Sequence, residues 1–289
     1  MLFDISDKVQ LSKLLAVAPG EIDHVLRRVD CYYRRKNIPK RNGGTRSLIV
    51  PCGKLKTLQG KIKRHILDKV PWLGCVHGGV KGRSVLSNAL PHVQKDVVFT
   101  LDIEGFFPHV TPYRVRRIFS GLGFADEPAR ILMKATTLNH QLPQGTSTST
   151  ALANLSLIRA DWRILRLAEI QGFSYTRYVD DLSLSGGLRL SDFRRLIQRI
   201  IESEGFQVKP QKTSTMYAGM RQTVTRLVVN SKVNMPREWR EDMRKELFKQ
   251  MRGEVSTVSA ESLLGRMNWL AYLNRYTGGR SLQREQAVA

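Results

Sequence analysis

Tyr178, Val179, Asp180 and Asp181 set two adjacent carboxylates between the apolar-flanked runs 174–178 and 182–185. Side chains on a strand alternate faces, so neighbouring acids point apart unless a tight turn lets both approach one centre. A third acid, Asp102, lies near the end of the run from Val97 to Ile103, which reads as a buried strand interrupted only by Thr100. Three carboxylates gathered from two strand ends repel one another unless a cation sits among them, and together they can hold two Mg2+ ions. Magnesium takes oxygen ligands, keeps waters and shares its shell with substrate phosphates, so the chemistry such a cluster suits is phosphoryl or nucleotidyl transfer. For Asp180 and Asp181 alone, the plain alternative is an exposed acidic turn.

The charge balance narrows the partner. Across 289 residues there are 47 Lys plus Arg against 25 Asp plus Glu, a net charge of +22, which points to a polyanion. No apolar run is long enough to span a membrane and no signal-peptide pattern opens the chain, so nucleic acid is the expected partner and the cytoplasm the expected compartment. Cys31, Cys52 and Cys75 are odd in number and widely spaced, which argues against a disulfide or zinc framework. The cationic residues concentrate between Leu26 and Lys69, where fourteen Lys or Arg meet only Asp30 and Asp68. Within that stretch, Tyr32 to Lys36 mixes rings and cations, suited to phosphate contact and stacking; a solvated basic helix end is the plain alternative.

The elements that must position the acids follow from periodicity and turn chemistry. Asn42, Gly43 and Gly44 read as a turn before a strand from Thr45 to Val50, together a hairpin that presents Arg46. Leu55, Leu58, Ile62, Ile66 and Leu67 predict an amphipathic helix over 55–70. Thr111 and Pro112 start a helix that Gly123 stops, a second begins near Asp126, and a third spans Thr148 to Glu169. After the acidic hairpin, Ser191 caps a helix whose inward face is Phe193, Leu196, Ile197, Ile200 and Ile201. Strands are expected at 206–208 and 213–217, a hairpin over 223–233, and helix from Pro236 onward with Leu263, Leu264, Met267, Leu270 and Ala271 in the core. The order suits a βαββαβ sheet covered by helices on one side.

Four segments in this order resemble the catalytic motifs of reverse transcriptases. They are Leu101 to Phe107; Leu142, Pro143, Gln144 and Gly145 with the later Asn154; Tyr178 to Asp181; and Gly205 to Lys212. A narrower resemblance is carried by Asn88, Ala89, Leu90, Pro91 and His92, which fit the Asn-Ala-x-x-His signature of retron reverse transcriptases, the bacterial enzymes that make RNA-linked single-stranded DNA. The resemblance implies an α+β right-hand polymerase, with N-terminal helices and fingers over 1–95, a palm with inserted fingers elements over 96–222 and a thumb over 223–289. It implies that Asp102, Asp180 and Asp181, with the carbonyl of Ile103, hold the two Mg2+ ions, and that Lys212 sits near the departing pyrophosphate. Arg46, Gln144 and Gly145 would meet the incoming dNTP, and Phe107 would exclude a ribose 2′ hydroxyl. Asn88, His92 and Arg226 would contact RNA. Arg226 stands where the family's Val-Thr-Gly element has glycine, and Ser147 and Thr150 stand where prolines are common.

The partners so implied are a structured noncoding RNA that serves as template and primer, the DNA product and its RNA–DNA hybrid, dNTPs, an effector protein of an anti-phage defence system and host ribonuclease H. Two other readings stay open: a diversity-generating or group II intron-like reverse transcriptase, and a noncatalytic RNA-binding scaffold. Only the retron type should yield RNA joined to DNA by a 2′ to 5′ branch.

Overall fold

A computed structural model describes residues 2–39, 43–256 and 258–277. In chain order it begins with α1 (Lys8–Leu15) and α2 (Pro19–Arg27), the strands β1 (Tyr33–Pro39) and β2 (Thr45–Pro51), α3 (Gly53–His65), α4 (Val85–Ala89) and β3 (Val97–Asp102). The helices α5 (Phe106–His109), α6 (Pro112–Leu122), α7 (Asp126–Thr136), α8 (Ser149–Ser156) and α9 (Ile158–Gln171) follow. Then come β4 (Ser174–Tyr178), β5 (Asp181–Gly186), α10 (Leu190–Ser203), β6 (Ser214–Tyr217), β7 (Thr223–Val224), β8 (Leu227–Val228), α11 (Arg237–Met251) and α12 (Ala260–Thr277). The class is α+β. Two compact units interleave along the chain, one drawn from residues 1–73, 103–162 and 201–207 and the other from 74–102, 163–200 and 208–289. These units do not coincide with the consecutive segments 1–95, 96–222 and 223–289.

In the first unit, β1 and β2 form the expected antiparallel hairpin, from Tyr33 opposite Pro51 to Pro39 opposite Thr45. Asn42 of the predicted turn lies outside the described residues. The basic residues Arg34 to Lys36 stand on a strand, not at a helix end, and are exposed. The helix α3 stops at His65, short of the predicted 70, and a short 3-10 turn takes over at Leu67–Lys69. Ile66 and Leu67 are both buried where the helix gives way to that turn. The helix α6 has the predicted signals: the Thr111 side chain accepts the Arg114 N–H, Pro112 opens the first turn, and Gly123 closes the last one at φ 108°.

The helix predicted over 148–169 is broken at Leu157. There the Leu157 N–H bonds to the Asn154 carbonyl three residues back, and the Ser156 hydroxyl donates to the Ala153 carbonyl at 2.7 Å, so the α-helical ladder is interrupted locally. Residues 206–208 form no strand.

The second unit is organised around an antiparallel sheet of order β4-β5-β3-β6. Val97, Phe99 and Leu101 on one face of β3 and Val98 on the other are all buried, so this strand is covered on both faces and not on one alone. Val98 belongs to a core cluster with Leu86, Met216, Val224, Leu227 and Leu273, the last contributed by α12. On α12, Leu263 is buried as expected, whereas Leu264 and Met267 are exposed; on α10, Leu196 is exposed rather than inward. Ser191 lies inside α10, which begins at Leu190. All three cysteines are free thiols. Among the described residues no helix is long and apolar enough to cross a membrane.

Asn88 and His92 are both fully buried, so neither side chain is at the surface to meet RNA directly. The His92 ring bonds to the Ser185 and Thr176 hydroxyls, each at 2.7 Å, and Thr176 also donates to the Asn88 carbonyl. The motif therefore ties α4 and the turn after it to β4 and β5. Burial first, then the charges of His77 and Lys95, pushes the His92 pKa down from 6.5 to about 3. A group whose folded pKa is lowered resists protonation in the native state, so its contribution to stability is intact above the unfolded pKa and is lost as pH falls below it. Between pH 7 and pH 5 that loss is about 2 kcal/mol for one such imidazole. Urea unfolding at the two pH values should show this decrease in the wild type and a shallower one in His92→Gln; equal slopes would remove the buried, neutral ring as its cause.

Candidate active site

At the end of the β3–β5 ladder, Asp102 stands directly opposite Asp181. Residues opposed in this way project from the same face, and like charges there repel. The strands β4 and β5 are joined by the two-residue turn Val179–Asp180, closed by the pair Tyr178 and Asp181. Within the turn only Val179 has positive φ, at 60°, which follows the II′ pattern usually filled by glycine at that place. Register and turn together gather the three acids.

The electrostatics reflect that crowding. Burial, followed by the charges of Asp180 and Asp102, pushes the Asp181 carboxyl up to about 7, with Lys212 acting in the opposite direction. Lys212 donates from Nζ to Asp102 Oδ2 at 2.7 Å, where the acid side chain is 8% exposed and the lysine 56%. This hydrogen bond is the largest of the effects that raise the Lys212 pKa. The lysine is delivered by a 3-10 turn, Pro210–Lys212, whose preceding residue Lys209 donates its N–H to the Asp102 carbonyl at 2.8 Å. An all-oxygen donor set with surplus negative charge suits a hard divalent cation. Among the described residues no three acid, His or Cys side chains are already closed into a metal cage; Asp102 is engaged by Lys212 instead.

Ile103 follows Asp102 with its side chain buried. The short helix α5 starts beyond Gly105, which is left-handed at φ 52°. It places Phe106 in the core against Phe206, ring centroids 5.4 Å apart, and leaves Phe107 half-buried. Gln144 and Gly145 lie along β2: the Gln144 carbonyl accepts the Ile49 N–H at 2.8 Å, and a Cβ on Gly145 would meet the Ile49 carbonyl at 3.2 Å. Gly145 also holds φ 118°, so a close approach and a backbone shape both require glycine there. Arg46 is placed in β2 opposite Ile38, and its side chain lies outside the described residues.

The turn before α8 is held by the hydroxyls of Thr146 and Ser149. Thr146 Oγ1 accepts the Ser149 N–H, and the Ser149 hydroxyl donates to the Pro143 carbonyl at 2.7 Å. Asn154 is buried within α8. Arg226 is exposed at the tip of the β7–β8 hairpin, where Thr225 and Arg226 have φ 45° and 70°. The left-handed shape suited to glycine is thus kept with arginine in it. Sequence reasoning passed over Arg177, a cation inside an otherwise uncharged strand and fully buried; that placement within β4 was the signal.

Residues 38–246 match the family described as reverse transcriptase (RNA-dependent DNA polymerase). Retron Mx65 reverse transcriptase of Myxococcus xanthus is 35% identical over 86% of this chain and 63% of its own length. Retron Ec86 reverse transcriptase of Escherichia coli is 31% identical over 91% of this chain and 82% of its own. A second Myxococcus relative, retron Mx162 reverse transcriptase, is matched over 47% of its length, so the chain spans about half to two thirds of these two relatives. Among solved structures, a telomerase from Candida albicans superposes with a TM-score of 0.51 at 13% identity, covering 84% of this chain and 55% of that one. That likeness concerns the fold alone, the right-hand polymerase fold.

The left-handed Arg226 gives a direct test of the hairpin geometry. A non-glycine residue in this region costs roughly 1–2 kcal/mol, offset in a glycine variant by roughly 0.4–1 kcal/mol of added unfolded-state entropy. Arg226→Gly should therefore raise stability by up to about 1.5 kcal/mol, read as a higher urea midpoint; a lower midpoint would mean that the arginine side chain contributes more than its backbone costs.

Proposed function

We propose that this chain, which belongs to the reverse transcriptase family, is an RNA-directed DNA polymerase of the retron type that copies a structured noncoding RNA into single-stranded DNA. The observation that carries the reading is the register of Asp102 against Asp181, with Asp180 in the adjoining turn and Lys212 on Asp102. Asp102, Asp180, Asp181 and the Ile103 carbonyl are the groups that would hold two Mg2+ ions. Bound there, the ions would supply Lewis-acid activation of a primer hydroxyl and would neutralise charge on a triphosphate. The chain supplies the rest. Lys212, an ammonium kept protonated beside the acids, is the donor assigned to the departing pyrophosphate. Gln144 and Gly145, packed on the hairpin that carries Arg46, are assigned to the incoming dNTP, and Phe107 to its sugar.

In the same reading, 1–95 serve as N-terminal helices and fingers, 96–222 as palm and 223–289 as thumb. The exposed Arg34 to Lys36 and Arg226 contact RNA, while Asn88 and His92 act from the interior. Priming from an RNA 2′ hydroxyl, trimming by host ribonuclease H and a cytoplasmic role in anti-phage defence beside an effector complete the proposal. Mixed with RNA template, dNTPs and Mg2+, the protein should lengthen DNA. Asp180→Asn should lose that activity by about a thousandfold or more while RNA affinity stays within about twofold, since a ligand to the reacting centre has been removed and not a phosphate contact. Continued synthesis by this variant would end the assignment. For the sugar gate, Phe107→Ala should raise ribonucleotide incorporation relative to deoxyribonucleotide by about tenfold or more, and an unchanged ratio would withdraw Phe107 from that role.

A further inference from the structure

The catalytic turn rests on a residue poorly suited to its conformation. Val179 is β-branched and sits at φ 60°, a combination that persists only where the surroundings over-determine it. Those surroundings come from residues 75–78, a segment remote in sequence, and from the side chain of Arg177. The segment runs parallel beside β4, with Val76 bridged to Arg177. The Arg177 N–H donates to the Cys75 carbonyl at 2.7 Å, and the His77 N–H donates to the Arg177 carbonyl at 2.8 Å. Gly78 then meets the turn itself. A Cβ there would lie 2.5 Å from the Val179 nitrogen, 2.6 Å from Val179 Cγ2 and 2.9 Å from the Tyr178 carbonyl carbon. Two of these three atoms are backbone and cannot swing aside. Gly78 is not in the left-handed region, so close approach, not φ, demands the glycine.

Arg177 acts from the other side. Its guanidinium is fully buried, which is unfavourable unless its donors are used, and NH1 donates to the Val179 carbonyl at 2.8 Å. The segment is in turn anchored: Arg83 donates to the Val76 carbonyl, and His77 Nδ1 bonds the Ser87 hydroxyl at 2.9 Å within the capped start of α4. Val179 is therefore fixed at its nitrogen side by Gly78 and at its carbonyl by Arg177.

We infer that Gly78 and Arg177 are positioning residues for the reaction: they clamp the Val179–Asp180 turn and thereby set the spacing of Asp180 and Asp181 relative to Asp102. This rests on the reading of those acids as the metal-holding set. A purely structural role would lower stability alone. A positioning role also changes how tightly the acids hold a divalent ion, because partners behind a ligand typically govern metal affinity by roughly 10–100-fold.

The test compares wild type, Gly78→Ala, Arg177→Met and Arg177→Lys. Folding is followed by circular dichroism, Mn2+ affinity by electron paramagnetic resonance without turnover, RNA–DNA hybrid affinity by titration, and kcat and KM by primer extension. In Gly78→Ala, Mn2+ affinity should fall about tenfold and kcat by about a hundredfold, with KM for dNTP and hybrid affinity within about twofold. Arg177→Met should repeat the loss and Arg177→Lys should recover part of it, and these two carry the test if Gly78→Ala does not fold. Folded variants with wild-type Mn2+ affinity and kcat would overturn the clamp. A wild-type chain that binds Mn2+ yet extends no primer would sink the polymerase reading, while the Mn2+ comparison still judges the clamp.

Discussion

Mutual repulsion among Asp102, Asp180 and Asp181 is the constraint around which the second compact unit is built. Opposed acids at the end of a ladder oppose pairing, and after burial the charges of Asp180 and Asp102 add to the upward shift of the Asp181 carboxyl. The sheet withstands this because β3 is buried on both faces, so hydrophobic burial along Val97 to Leu101 outweighs repulsion at the tip. Lys212 supplies the only cation bonded directly to Asp102 among the described residues, and it arrives on a turn whose own backbone bonds to that acid. Stability and chemistry pull in opposite directions here. The arrangement that weakens the apolar scaffold is the one whose oxygen donors suit a hard divalent cation.

Much of this was legible in the residues. The apolar run before Asp102 and the paired acids after Tyr178 were sufficient to place both strands, because buried strands and two-residue hairpins leave strong local signals. Thr111, Pro112 and Gly123 marked both ends of α6 for the same reason. What escaped reading depended on tertiary geometry. Periodicity continues across Leu157, so only the competing hydrogen bonds of Asn154 and Ser156 reveal the break. The Asn-Ala-x-x-His segment was legible as a motif but not as a location: nothing in its spacing says that His92 faces Ser185 and Thr176 inside the protein. Arg177 and Gly78 become informative only once β4 has a neighbour.

Two tight turns in this unit share an economy of another kind. Val179 at one, and Thr225 with Arg226 at the other, hold left-handed backbone without glycine. Each position trades conformational comfort for a side chain: a branched one set against Gly78 and a cationic one exposed to solvent. The proposed functions differ accordingly, since the first must stay fixed to hold its neighbours and the second needs only to present charge.

The long separation between β3 and its partners also orders the birth of the protein. The salt bridge from Lys212 to Asp102 spans 110 residues, and β5 begins well after β3 has been made. At ribosomal speeds of roughly 5–20 residues per second, Asp102 therefore waits about 5 to 20 seconds before the lysine that neutralises it has been synthesised. Throughout that interval the basic stretch from Leu26 to Lys69 already exists. A nascent chain of this kind displays its polyanion-attracting portion before its acids have been brought together.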